Sequence, residues 1–214
     1  MTKLTPRLTL TLATCALFFA GCASTGYEKA ARTSTSLQAA ATGIDEALLP
    51  LNNVQLTLAD LMDNPRGDIT AQFKKFRDAV AKLESVSDDV GSHTVAMKTQ
   101  GADYFKTWDE ELAKIKSEDI HTRSLDRKNA VAAQFERVRL SYVQTNADFA
   151  PLMSDLKDIR TALATDLTLG GLASVRVRTT QANDKMPPLR TSLIHLSADF
   201  KELGVALSPG TPTK

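Results

Sequence analysis

The stretch "ITAQFKKFRDAVAKLESVSDDVGSHTVAMKTQGADYFKTWDEELAKI", residues 69–115, decides the fold. Steps of four and three residues from Ile69 land in turn on Phe73, Phe76, Val80, Leu83, Ser87, Val90, Thr94, Met97, Gly101, Tyr104, Trp108, Glu111 and Ile115. Most of these positions are apolar and the phase never slips. An apolar repeat of about 3.5 residues held this long marks a helix packed lengthwise along other helices, not a surface helix of a compact globule.

The same stepping finds three more segments. One runs Leu37, Ala41, Ile44, Leu48, Leu51, Gln55, Leu58, Met62. Another runs Val131, Phe135, Val138, Tyr142, Thr145, Phe149, Leu152, Leu156, Ile159, Leu163. The last runs Leu172, Val175, Thr179, Ala182, Met186, Leu189, Leu193, Leu196, Phe200, Leu203, Leu207. Breaks fall at "NPRGD" (64–68), "KSEDIHTRS" (116–124) and "DLTLGG" (166–171), with Asp68 and Thr168 suited to accept from the free N–H groups of a first helical turn. Pro50, Pro151, Pro187 and Pro188 lie inside segments whose phase continues through them. Proline removes one helical hydrogen bond and crowds the preceding turn, so these positions predict kinks, with the Pro187–Pro188 pair the strongest candidate for a true break. The expected fold is all-α: an elongated antiparallel coiled-coil-like bundle of four long helices with proline kinks.

Short connections make neighbouring helices antiparallel and allow the register to be estimated. A turn centred near Asp119 and Ile120 sets Trp108 opposite Val131, Tyr104 opposite Phe135, Met97 opposite Tyr142 and Val80 opposite Ile159, with Thr94 and Thr145 forming a polar layer. Folding back the outer helices brings Tyr27 opposite Tyr104 and Leu207 opposite Val131. The hairpin tip, residues 109–130, is then left uncovered at the end where the chain begins. It is highly charged, and His121, Arg123, Arg127 and Lys128 form a candidate interaction tip for anionic headgroups or a partner protein. The plain alternative is a solvated turn.

Residues 1–21 read as a signal peptide: Lys3 and Arg7 precede an apolar run from Leu8 to Ala20 that is shorter than the roughly 20 residues a membrane span needs. In "LFFAGCAST", residues 17–25, Cys22 follows Ala20 and Gly21, which resembles the bacterial lipobox and implies cleavage before an acylated Cys22. Ala23 after that cysteine, in lipoproteins of the enterobacterial type that this resembles, favours the outer membrane. The expected organisation is a signal peptide (1–21), an acylated N-terminus and short linker (22–26), a helical domain (27–207) and a disordered tail (208–214). Loss of Lys3 and Arg7 changes the formal charge from +1 to −1, which offers nucleic acid no electrostatic attraction. Cys15 goes with the leader and acylation occupies Cys22, so the domain is expected to be held by its core without disulfides.

The chain resembles an uncharacterised family of bacterial envelope proteins, the domain of unknown function 2959, over residues 27–203. The resemblance rests on "QFKKFRDAV", "YFKTWDEEL", "FAPLMSDLKDI" and "DLTLGG", in that order along one helical chain. Leu169 stands where the family pattern often has proline. The resemblance implies a helical architecture and an envelope address, and carries no catalytic residue.

The residues themselves point to no chemistry. His93, His121 and His195 have no second histidine or cysteine at ligand spacing; His93 and Met97, four apart, read as packing rather than a soft-metal pair. Asp109, Glu110 and Glu111 beside Trp108 are consecutive on a helix and cannot converge on one substrate. No GxSxG or SxxK is present, and Gly170–Gly171 is not a phosphate loop. The seam residues Thr94, Gly101, Thr145 and Thr179 can open a cavity or let helices approach closely, and close approach is the expected outcome. The reading is therefore a non-enzyme without cofactor or metal: an outer-membrane lipoprotein facing the periplasm, acting as an interaction or spacer module toward an envelope protein or the cell wall. The oligomeric state is left open. The alternative is a periplasmic chaperone or carrier of apolar ligands using a groove opened by the prolines, which would show as an exposed apolar strip along the seam.

Overall fold

The computed structural model describes residues 26–208. The expected signal peptide, Cys22 and nearly all of the expected tail lie outside them. So do the side chains of Val90, His93 and Thr94, and with them the expected Thr94–Thr145 layer.

The described chain is all-α. Four helices follow one another: α1 (Gly26–Asp63), α2 (Thr70–Leu112), α3 (Glu118–Thr165) and α4 (Leu169–Leu207). At 1.5 Å per residue the 48 residues of α3 extend about 72 Å. α1 packs on α2 and α4, α3 packs on α4 and more sparsely on α2, and the backbones of the diagonal pairs α1–α3 and α2–α4 do not approach closely.

α1 takes the central role because three of its seven heptad positions are buried. Ala30, Leu37, Ile44, Leu51 and Leu58 form one line, Thr33, Ala40, Ala47, Val54 and Leu61 a second, and Ser34, Ala41 and Met62 part of a third. The second line, rich in alanine, was missed by the four-and-three stepping. Full burial of each large aliphatic side chain contributes about 1.5–3 kcal/mol. Polar links between α1 and α4 run in opposite directions along the two helices: Ser34 Oγ donates to the Gly204 carbonyl (2.7 Å), Ser197 Oγ to Asp45 Oδ1 (2.6 Å) and Arg190 to Gln55 Oε1 (3.1 Å). On α3 and α4, Ser141 meets Asp199 (2.5 Å) and Ser192 meets Asp148 (2.7 Å). These pairs fit the register that sets Leu207 opposite Val131.

The turns depart from expectation in two places. Residues 118–124 were expected to break the helix, yet α3 already begins at Glu118. Glu118 and Asp119 sit favourably at the positive end of the helix dipole, and Asp119 accepts from Arg123 one turn on (3.0 Å). At the α1–α2 turn Asp68 Oδ1 accepts from the Thr70 N–H (2.9 Å), with Ile69 at the capping position. The buried Gln72 does more there: its amide donates to the carbonyls of Asp60 (2.8 Å) and Asn64 (3.0 Å), and its Oε1 accepts from the Arg66 N–H (3.1 Å). Thr168 caps α4 as expected, accepting from the Gly171 N–H at 3.1 Å.

Glu111, placed on the seam by strict stepping, is exposed, and Leu112 is buried in its stead. A straight helix drifts about 20° per heptad, so 42 residues after Ile69 the strict repeat is about 120° off the core and the next residue is back within about 20° of it. The helices also run unbroken through Pro50, Pro151, Pro187 and Pro188. The expected break at Pro187–Pro188 is absent: both rings face solvent while the flanking Met186 and Leu189 are fully buried and hold α4 on the core.

Candidate functional site

The α2–α3 contact differs from the other three. As far as Phe149, α3 buries a single line, Val131, Val138 and Thr145, and leaves Phe135, Tyr142 and Phe149 half-buried along the side that faces α2. Between them lies a groove of about 390 Å³ walled on α2 by Val95, Met97, Gly101 and Phe105 and on α3 by Ala132, Phe135, Tyr142 and Val143. Val95 and Val143 stand exposed at its mouth, and Leu140 lies exposed beside it. Lys98, Glu136 and Arg139 supply its polar rim. Arg139 is spent on Glu136 through two contacts of 2.7 and 2.8 Å. That pair raises the arginine and holds the Glu136 carboxyl below its ordinary range, chiefly by the hydrogen bonds between them.

Gly101 shapes the floor. A Cβ there would sit 2.5 Å from Phe135 Cε1, so the ring lies against bare backbone. Phe135 meets Phe105 edge-on at 5.0 Å, and Phe105 joins Tyr104 and Trp108 in one aromatic cluster. Burial raises the Tyr104 phenol to about 12, with the charge of Arg127 working against that rise. Farther down the seam Ser87, Gly91 and Thr145 border a cavity of about 40 Å³ reached by all four helices. The seam's small and polar residues thus give close approach at Gly101 and a void at Thr145. The groove lies where residues are small; no proline lines it, contrary to the expectation that prolines would open one.

At the hairpin tip Leu112 is the one buried residue between 109 and 130. The four tip residues are not equivalent. Arg127 donates to the Ala206 carbonyl (2.8 Å) and so serves the C-terminal end of α4, where a cation also complements the helix dipole. Lys128 is largely buried against Asp109 of α2. Arg123 is exposed and paired with Asp119, and His121 is half-buried. Trp108 Nε1 donates to Ser124 Oγ (3.1 Å), tying the two arms together. Asp109 and Glu111 turn to Lys128 and Lys114, away from each other.

Sequence reading missed a buried carboxylate on the shaft. Asp155 is 3 % exposed and clamped by two cations of α4, Arg178 (3.0 Å) and Lys185. Its signal was an aspartate immediately before a core leucine, a heptad flank that only the approach of α4 buries. Among the described residues no cluster of three or more His, Cys, Asp or Glu side chains could hold a metal ion, and no helix is long and apolar enough to cross a membrane.

Residues 18–194 match the family model described as Protein of unknown function (DUF2959). The chain belongs to this family. No curated protein and no solved structure matches it. The stretches that carry the DUF2959 resemblance occupy distinct structural positions. "QFKKFRDAV" supplies Gln72 at the α1–α2 turn together with the core residues Phe73, Phe76 and Val80. "YFKTWDEEL" holds the aromatic cluster beside the groove, "FAPLMSDLKDI" the clamped Asp155, and "DLTLGG" the α3–α4 turn.

Proposed function

We propose that this DUF2959 protein is a non-enzymatic binding module of the bacterial envelope, anchored through an acylated Cys22 to the outer membrane and facing the periplasm. Its four helices form an elongated antiparallel bundle bent at the prolines, and it acts by holding an apolar partner against the open α2–α3 flank. One observation carries this reading: the groove is apolar on both walls, open to solvent, and lies along the helix pair that packs most sparsely. An exposed apolar surface of this kind on a charged, elongated protein is a place for a partner or ligand. The lipobox-like "LFFAGCAST" supports the anchor. The tip contributes less than its charge suggests, since Arg127 and Lys128 are engaged within the molecule.

Two experiments test this. Growth with an alkyne-tagged palmitate should label the wild-type protein and leave Cys22→Ser unlabelled; equal labelling of both removes the anchor. Photoreactive residues placed at Val95 and Leu140 beside the groove should capture a discrete partner or lipid in intact cells, while Lys116 at the tip and Leu56 on the outer face of α1 should not. Equal, diffuse capture from all four positions refutes the groove as the working surface.

A further inference from the structure

We infer that the α2–α3 groove is a binding site for a single-chain anionic amphiphile, a long-chain fatty acid carboxylate, with Lys98 receiving the headgroup. This rests on the groove being the working surface of the protein and names what it holds. Shape comes first. From Val95 to Phe105 the groove spans ten residues of α2, about 15 Å of helix axis. Its volume of about 390 Å³ is spread along that length as an open slot. A helix with side chains is about 10–12 Å across and too bulky to be enclosed in that volume, whereas one extended hydrocarbon chain fits along it.

Charge comes second. Three charged side chains border the groove: Lys98, Glu136 and Arg139. Glu136 and Arg139 neutralise each other. Lys98 is exposed and meets no carboxylate among the described residues, so the rim carries one uncompensated positive charge beside an apolar slot. That combination suits a hydrocarbon tail with one anionic end and disfavours both a neutral hydrocarbon and a cationic amphiphile.

Position comes third. The start of α1 lies level with Thr107, next to the Phe105 end of the groove. Four peptide links join the acylation site, Cys22, to Gly26, a reach of about 14 Å at full extension. A lipid anchor at Cys22 therefore keeps one mouth of the groove near the membrane surface, where fatty carboxylates partition.

The test uses the full mature chain reconstituted in phosphatidylcholine vesicles and irradiated with a diazirine-bearing stearate, with adducts mapped by peptide mass spectrometry. Adducts should fall on residues 95–105 and 132–143, be displaced by palmitate, and resist hexadecanol, which has the same chain without the charge. Lys98→Glu should weaken the apparent affinity about tenfold or more, as loss of a charge-assisted contact does. Ala102→Trp, which fills the groove from an exposed position, should abolish the adducts with the helical circular dichroism unchanged. Groove adducts displaced equally by hexadecanol and unaffected by Lys98→Glu overturn the carboxylate assignment and leave the groove a binding surface. Adducts spread evenly over the chain, or undiminished in Ala102→Trp, overturn both.

Discussion

Replacing Gly171 with alanine should destabilise the protein by about 2 kcal/mol, while the same change one residue earlier, at Gly170, should be neutral or stabilising. Both glycines lie in the first turn of α4, and alanine at an ordinary helical position gains up to about 1 kcal/mol over glycine. At Gly171, however, a Cβ would meet the Asp166 carbonyl oxygen at 2.0 Å and its carbon at 3.0 Å. Both atoms are backbone, so the turn between α3 and α4 must open to admit it. Overpacking of this kind costs about 1–3 kcal/mol. Opening the turn also pulls the Gly171 N–H from Thr168 Oγ, and loss of an N-cap costs about 0.5–2 kcal/mol more. At Gly170 the nearest contact is Thr168 Oγ1 at 3.4 Å, which an alanine tolerates. For a chain of this size 1 kcal/mol moves Tm by about 2–4 °C, so Gly171→Ala should lower it by about 4–8 °C and Gly170→Ala should leave it level or up to about 4 °C higher. Thermal and urea unfolding followed by far-UV circular dichroism measure both. Thr168→Ala should lose about 1 kcal/mol alone and less than that on top of Gly171→Ala, because the two changes break the same bond. Equal shifts for the two glycines, or full additivity with Thr168→Ala, refute the reasoning.

Asp155→Asn should cost about 1–3 kcal/mol in urea unfolding, less than the about 3–5 kcal/mol for breaking a fully buried ion pair, because Arg178 and Lys185 keep access to water and can resolvate. Gly101→Ala brings a Cβ within 2.5 Å of Phe135, but the obstacle is the tip of a side chain bordering an open groove. It should cost less than Gly171→Ala, and adding Phe135→Leu should recover most of the loss. Burial works to raise the Asp45 carboxyl, but hydrogen bonds from Lys201 and Ser197 outweigh it and hold the group below its ordinary value of 3.8. Its contribution is thus complete above about pH 4 and fades as pH falls through the lower folded value, so Asp45→Asn should flatten the acid limb of a stability–pH curve and leave its slope near neutrality unchanged.

Much of this molecule is local and so was legible in the amino-acid order. Helix content, the ends of α1, α3 and α4 near Asp63, Thr165 and Leu207, and the Thr168 cap follow from periodicity and capping chemistry that a residue shares with neighbours a turn away. Even the α3–α4 register followed, since short turns leave antiparallel helices little freedom to slide. Tertiary structure alone decided which flank of the seam stays open. Heptad positions on α2 and α3 look like those of α1, but closing two helices depends on the summed volume both present at one level. Ser87, Gly91, Gly101 and Thr145 leave that sum short between α2 and α3, while α1 presents three filled lines. The same holds for charge. Arg127, Lys128 and Asp155 carry the composition of a solvated surface, and only the arrival of α4 or α2 beside them turns two cations and a carboxylate into internal ties. Sequence periodicity sets the direction in which a side chain leaves its own helix; what it meets there is set by a second helix far away along the chain.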